Sequence, residues 1–335
     1  MGPKPKKFAS KNKPVSTCGF KAAGRVAARL AGMVSAVCLT ALLVTGCASK
    51  QPPVQALDSE AYLMCHHFQR ETFEASDALA ESYEFEDGKL LAATSPHFIP
   101  AMTFTCKILK TVAAQDTPCQ TVIVIAPGHS GEGAPIMISD LGWRTPWGDL
   151  VVDERATQAI YREYPLGAKV QIDRERIEQD HSASALMPYI KYYLPDVQIV
   201  TVLLNRSARL EDLAALSKVI AEIAAQKEVF VLASIDFSHY QPYEQTLERD
   251  AVTERLITAG DTQALKDLDG KNLDSPEAMI VLMNYAARRE GSEAKILEKT
   301  ILREAEPNGR IGYSYYVWGF GEAKSERHDT AKDLV

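Results

Sequence analysis

Short apolar runs alternate with longer segments of helical periodicity from about residue 60 onward, the pattern of an α/β sheet. Strands are predicted at Lys89–Thr94, Thr121–Ala126, Val197–Leu204, Glu228–Ser234, Lys295–Leu302 and Ser314–Phe320. Helices are predicted at Ser59–Glu84, Pro100–Ala114, Asp153–Glu163, Ser182–Tyr193, Ser207–Ala225, Tyr243–Ala259, Thr262–Leu268 and Ser275–Arg289. The runs TVIVIA (121–126) and EVFVLAS (228–234) are apolar without alternation, as strands covered on both faces must be. The expected fold class is therefore α/β, a central, mostly buried mixed sheet with helices on both faces.

The first 46 residues break this pattern. Eight basic residues from Lys4 to Arg29, with no acidic one, precede an apolar run from Leu30 to Val44 and then Thr45-Gly46-Cys47. Basic, apolar, small, cysteine is the order of a bacterial lipoprotein signal peptide. The run of 15 residues contains Gly32, Ser35 and Thr40 and falls short of the roughly 20 needed to span a bilayer. The expected organisation is a signal peptide over 1–46, a lipidated Cys47 with a tether to residue 59, an α/β domain over 60–324 and a polar tail over 325–335. Palmitate-type acyl chains on Cys47 would anchor the chain to a membrane without a spanning helix. Ala48 stands where an inner-membrane retention signal would favour Asp. By resemblance to lipoprotein sorting, the expected location is the cell envelope, at the outer membrane facing the periplasm in a Gram-negative cell.

Removal of the leader changes the charge. It leaves 29 basic against 44 acidic residues, a net charge of −15, which opposes nucleic-acid binding. Cys65, Cys106 and Cys119 also remain, an odd count from which one pair could bridge in an oxidising compartment.

The candidate chemistry falls just past strand carboxyl ends. His97 follows the first predicted strand in SPHF, His129 the second in APGHS, and Asp236 and His239 a later one in SIDFSHY. Loops converge at that edge of an open α/β sheet, so it is where ligands bind. A single loop histidine is as readily a structural one, bonded to a backbone carbonyl. Several at equivalent points read better as metal ligands or acid–base groups.

These residues carry a resemblance to the Memo-like family, also called AmmeMemoRadiSam system protein B, over about Lys89 to Phe320. SPHF, APGHSGEG, WRTPWGDLVVD, DHSASALMPYI, IDFSHY and MIVLMNYA occur here in the family's order. The resemblance implies a fold like the class III extradiol dioxygenases, with non-haem iron at the sheet edge. It implies His97 and His129 as metal ligands, and Asp236, His239 and His181 as the remaining polar site residues. Where many members carry a cysteine, this chain aligns Asp274. A carboxylate there would complete two histidines and one acid, the facial set suited to Fe(II), with copper and zinc as other candidates. Asp274-Ser275-Pro276 is equally a good helix start, with Asp or Ser as N-cap. Glu277 is the reserve ligand, and His239 could also complete the site.

Other features point less clearly. His66-His67 falls in the first predicted helix and reads as solvated surface. Gly128, Gly131 and Gly133 match no phosphate-binding fingerprint, and no G-x-S-x-G elbow surrounds Ser130 or Ser238. Trp143, Trp147 and Tyr240 could wall a pocket for a planar or apolar substrate, or simply pack the core. The expected function is that of a membrane-anchored, extracytoplasmic metal protein. His97, His129 and Asp274 would hold the ion for redox or dioxygenase-type chemistry, with His181, His239 and Asp236 as catalytic groups. A metal-dependent hydrolase and a non-catalytic binder of a small molecule or peptide are the alternatives. The family's cytoplasmic radical-SAM-type partners are not expected for an exported chain.

Overall fold

The computed structural model describes residues 62–84, 88–162, 169–289, 292–303 and 311–322. The expected signal peptide, Cys47 with the expected tether, and the expected polar tail lie outside the described residues. Among those described, a central parallel block runs β6 (Gly148–Val152), β8 (Gln198–Leu204), β3 (Thr121–Pro127), β9 (Val229–Ser234), β2 (Lys89–Ser95). Antiparallel strands extend it. On one side β5 (Gly142–Thr145) pairs with β6 and carries β1 (Tyr62–Met64) parallel at the edge. On the other, β12 (Ile311–Glu322) pairs with β2, β11 (Ser292–Arg303) and β10 (Gln241–Pro242). Two short strands, β4 (Ile136–Ile138) and β7 (Val170–Ile172), pair with each other, and β4 also pairs with β8. The sheet is mixed, as expected from the sequence.

Strand β3 shows why both faces must be covered. Ile123 and Ile125 enter one hydrophobic cluster while Val122, Val124 and Ala126 enter the other, the period-2 alternation of a pleated strand. The first cluster is closed by α3 (Glu154–Arg162), α7 (Leu210–Ala224) and α10 (Pro276–Ala286). The second is closed by α2 (Met102–Ala113) and α6 (Met187–Tyr193).

Several local expectations are corrected. The helix expected over Ser59–Glu84 is, where described, the edge strand β1 followed by α1 (Arg70–Leu79). The pairing of Tyr62–Met64 with Gly142–Arg144 is non-local, so no local periodicity could reveal it. The helix expected over Ser182–Tyr193 divides into α5 (His181–Ser184) and α6, because Pro188 lies in the first turn of α6 and cannot donate a backbone hydrogen bond within a continuous helix. Cys65, Cys106 and Cys119 are free thiols, so no pair among them bridges.

The helix α8 (Tyr243–Ala259) braces the loop after β9 through one buried acid. Asp250 accepts a hydrogen bond from Ser314 Oγ (2.9 Å), and Ser314 N–H donates to Ser238 O (2.8 Å). Burial raises the Asp250 carboxyl to about 6, against partial compensation by Ser238 and Ser314. The folded chain therefore holds this proton more tightly than the unfolded chain between about pH 4 and 6, and stability falls as pH rises through that window. Asp250→Asn removes the slope. Urea unfolding of both proteins from pH 4 to 7 should show the variant gaining on the wild type as pH rises, with the difference level above pH 6.

Candidate functional site

Parallel pairing of β2 with β9 aligns Ser95 with Ser234, so the two chains leave the sheet side by side. Two residues on in each, His97 and Asp236 meet: the His97 backbone N–H donates to Asp236 Oδ1 (3.1 Å). Phe237 forms an isolated bridge with Leu273, which brings in Asp274. Asp274 N–H donates to Asp236 O (3.0 Å), and Asp236 N–H donates to Asp274 Oδ1 (3.2 Å). Ser275, not Asp274, caps α10, accepting from Ala278 N–H (3.2 Å). The capping role is thus filled, and the Asp274 carboxylate turns inward.

His97 is buried, and its tautomer follows from its neighbours. Ser234 Oγ commits its hydrogen to Ser182 O (2.7 Å) and so accepts from His97 Nδ1–H (2.9 Å). Nε2 then faces Asp274 Oδ2 at 3.2 Å and Asp236 Oδ2 at 3.5 Å. His129 is fixed in the same sense. Asp180 accepts from its Nδ1–H (2.9 Å) and its backbone N–H (2.8 Å), and caps α5 through Ser182 N–H (3.0 Å). His129 Nε2 lies 3.8 Å from Asp274 Oδ2. His181, one residue after the cap, stacks on His129 with ring centroids 4.4 Å apart and lies 5.1 Å from the His97 ring.

Two overlapping sets could hold a cation: His97, His129 and His181, and His97, Asp236 and Asp274. In each, the donor atoms lie within 4.8 Å of one another. Metal–nitrogen bonds of about 2.0–2.1 Å place neighbouring ligand atoms about 3.0–3.4 Å apart, close to the His97–Asp274 separation. Asp274 Oδ2 is buried without a hydrogen-bond partner. Protonated His97 and His129 balance that charge, and a divalent ion between the three groups would displace the two Nε2 protons and take over the same role. Either set fits a divalent ion beside His97, and the expected trio of His97, His129 and Asp274 draws its members from both.

Charge is divided unequally among the rings. Burial opposes protonation of His97, but Asp236 and Asp274 outweigh it and raise the imidazole above its ordinary value. Burial likewise opposes charge on His129, yet Asp180 and Asp274 lift it to about 10. Burial alone would raise Asp180 and Asp274, but their histidine contacts hold both carboxyls well below the usual range. His181 is pushed down to about 4, first by burial and then by the charges of His97 and His129. It is the neutral imidazole of the cluster.

The cluster floors a hollow of about 440 Å³, which His67, His239 and Tyr240 also line. His239 Nδ1–H donates to Phe237 O (2.6 Å), and the residue belongs to neither donor set. Glu277 does not reach the hollow. It is buried against Lys266 (2.6 Å) and Arg206 (3.3 Å), a structural ion-pair group, so the reserve-ligand expectation is corrected. Trp143 is a core residue donating to Thr201 Oγ1 (2.9 Å), and Trp147 packs against Phe73; of the three aromatics considered, Tyr240 alone borders the hollow.

Two participants escaped the sequence. His67, expected on a solvated helix, sits in the turn after β1, donates or accepts at Ser184 Oγ (2.9 Å) and faces the hollow. Asp180 had been only part of a motif. Its position just before a helix start, next to a histidine, was the available signal for a capping acid.

The chain is similar to the MEMO1 family protein of Pyrobaculum arsenaticum, at 31% identity over 188 residues, covering 55% of this chain and 65% of that protein. A MEMO1 family protein of Desulfurococcus amylolyticus is 30% identical over 186 residues, covering 53% and 64%. The matches thus span just under two thirds of these relatives' length. Among solved structures, the uncharacterized protein JW3007 of Escherichia coli K12 is similar at a TM-score of 0.49 and 14% identity, covering 70% of this chain and all of that one. That likeness is too slight to bear on the site. The description "Memo-like protein" matches residues 69–314, and the chain belongs to the Memo-like family.

Proposed function

We propose that this Memo-like protein binds one divalent metal ion, Fe(II) in the first instance, in the sheet-edge hollow and uses it for redox chemistry of the class III extradiol dioxygenase type. The observation that carries the reading is the buried Asp274 Oδ2, which makes no hydrogen bond and faces the Nε2 atoms of two imidazoles whose Nδ1 protons are already committed. His97, His129 and Asp274 would hold the ion as two nitrogens and one carboxylate, which suits Fe(II) with positions left open. Bound there, iron supplies one-electron chemistry and access to dioxygen.

The chain's own residues supply positioning and proton transfer. Ser234 and Asp180 fix the ring orientations of His97 and His129. Asp236 ties the His97 loop to the Asp274 loop, and its second oxygen stays near His97 Nε2. His181, neutral near pH 7, is the group able to take a proton from a substrate hydroxyl within the hollow. His239 at the wall is a second acid–base candidate.

The leader sequence supports a location outside the cytoplasm, with acylated Cys47 as the anchor. Among the described residues, no helix is long and apolar enough to cross a membrane.

The full chain, purified anaerobically in detergent and loaded with ferrous iron, should carry close to one iron per chain. His129→Ala and Asp274→Ala should carry almost none, and Ser234→Ala should weaken iron binding by about 10- to 100-fold. Equal, substoichiometric iron in wild type and His129→Ala would sink the site. The anchor is tested separately. Cells fed labelled palmitate should incorporate it into the wild-type chain but not into Cys47→Ala, and equal labelling would exclude Cys47 as the acylated residue.

A further inference from the structure

A helix laid on a fold turns an apolar stripe inward. In α8 the buried positions are Thr246, Asp250, Thr253 and Ile257, and three of the four are polar. Their spacing of four, three and four residues puts them on one face of the helix. So polar a face adds little apolar packing. Its contribution is hydrogen bonding, and the bonds run to two loops.

The first loop is held through β12. Ser314 donates to Asp250 Oδ1 through its hydroxyl (2.9 Å) and to Ser238 O through its backbone N–H (2.8 Å). The second is held directly. Asn272 donates from Nδ2 to Arg249 O (3.1 Å) and to Thr253 Oγ1 (3.2 Å), and accepts at Oδ1 from Arg249 Nη1 (2.9 Å). Ser238 Oγ then donates to Asn272 O (3.3 Å), which ties loop to loop. Ser238 and Asn272 are both buried, so these bonds are shielded from competing water.

Ser238 lies two residues after Asp236, and Asn272 two residues before Asp274. Between them, Phe237 and Leu273 form an isolated antiparallel bridge. A ribbon of one bridge is too short to hold its own register, and a slip of one residue would turn its side chains to the opposite face. The helix grips the far end of this ribbon. The carboxylates at the near end are thereby kept beside His97 Nε2, at 3.5 Å for Asp236 and 3.2 Å for Asp274. The structure assigns Asp250 and Asn272 as positioning residues of the sheet-edge site: neither lines the hollow, and together they fix the two loops that deliver Asp236 and Asp274 to it. The consequence for metal affinity rests on the reading of the hollow as a metal site, whereas the ordering of the loops does not depend on a bound ion.

The test titrates the full chain in detergent with Co²⁺, whose visible absorption reports its donors, well below the unfolding temperature. Asp250→Ala and Asn272→Ala should bind Co²⁺ about 10-fold more weakly, the lower end of what loss of an outer partner gives. Asp250→Asn, which keeps an acceptor for Ser314, should restore the affinity. Ile223→Ala, a cavity in the core under α7, should unfold at a lower temperature yet keep the affinity. In the metal-free chain, amide exchange at Asp236 and Asp274 should quicken relative to the β3 amides in the two alanine variants, and not in Asp250→Asn. Arg249→Ala breaks the clamp at its partly exposed end and should act in the same direction, which keeps the test open if a buried alanine variant fails to fold. If the wild type takes up no Co²⁺, the metal reading falls and amide exchange alone decides the clamp. Undiminished Co²⁺ affinity in the folded clamp variants, no rescue by Asp250→Asn, or unchanged exchange at Asp236 and Asp274 would overturn the assignment.

Discussion

The site depends on a register. Hydrogen bonding of β2 to β9 in parallel, with Ser95 opposite Ser234, fixes which residues emerge together from the sheet. Ile235 N–H donates to Ser95 O (2.8 Å), extending the ladder one step past the strands. At the next step the ladder is replaced by a side chain, Asp236 accepting from His97 N–H. On the far side of β9, Ile125 stands opposite Ala233 and carries the chain towards His129. Neighbouring strands lie about 4.8 Å apart, so loops leaving three of them are delivered within one ion's reach before any side chain chooses a direction. A shift of one residue in β2 would turn His97 to the opposite face.

The same arrangement concentrates buried charge, which a fold tolerates only with compensation. Asp180 is compensated fully, taking two donations from His129 and two from Ser182. Asp274 accepts a hydrogen bond on one oxygen alone, while the other faces the two imidazoles. That asymmetry separates the acid that positions His129 from the one that, on the proposed reading, would take a cation. Gly128 belongs to the same economy of space: a Cβ there would come within 2.4 Å of Asn205 Oδ1, the side chain that donates to Glu132 O and Ala134 O and so shapes the His129 loop.

How much of this was legible varied with the range of the interaction. Buried strands announce themselves by apolar runs, so β2, β3 and β9 and the residues just beyond them were readable, and with them His97, His129, Asp236 and His239. Asp274 was legible only as a choice between cap and ligand, because a sequence cannot say which of two adjacent polar residues faces the helix. Ser275 resolves it. Glu277 looked equivalent by spacing, yet its neighbours Lys266 and Arg206 are supplied by segments whose proximity is tertiary. His67 was invisible for a similar reason: its placement follows from a three-residue strand paired to a segment some 80 residues away, and from Glu178, which accepts from Met64 N–H (3.1 Å).

The carboxylate at position 274 also bears on the compartment in which the leader would place this chain. A metal-site thiolate is a good soft ligand but is readily oxidised where no reducing system protects it. The thiols among the described residues are of another kind. Burial raises Cys106 and Cys119 to about 11 and Cys65 further still, so none is a ready thiolate. In the proposed centre, a carboxylate where the family resemblance aligns a cysteine would cost affinity for soft ions and favour harder ones such as Fe(II). On the proposed reading, Asp274 would link two features that sequence position keeps far apart: an N-terminal leader that would export the chain, and a sheet-edge centre whose donors would be nitrogen and oxygen alone.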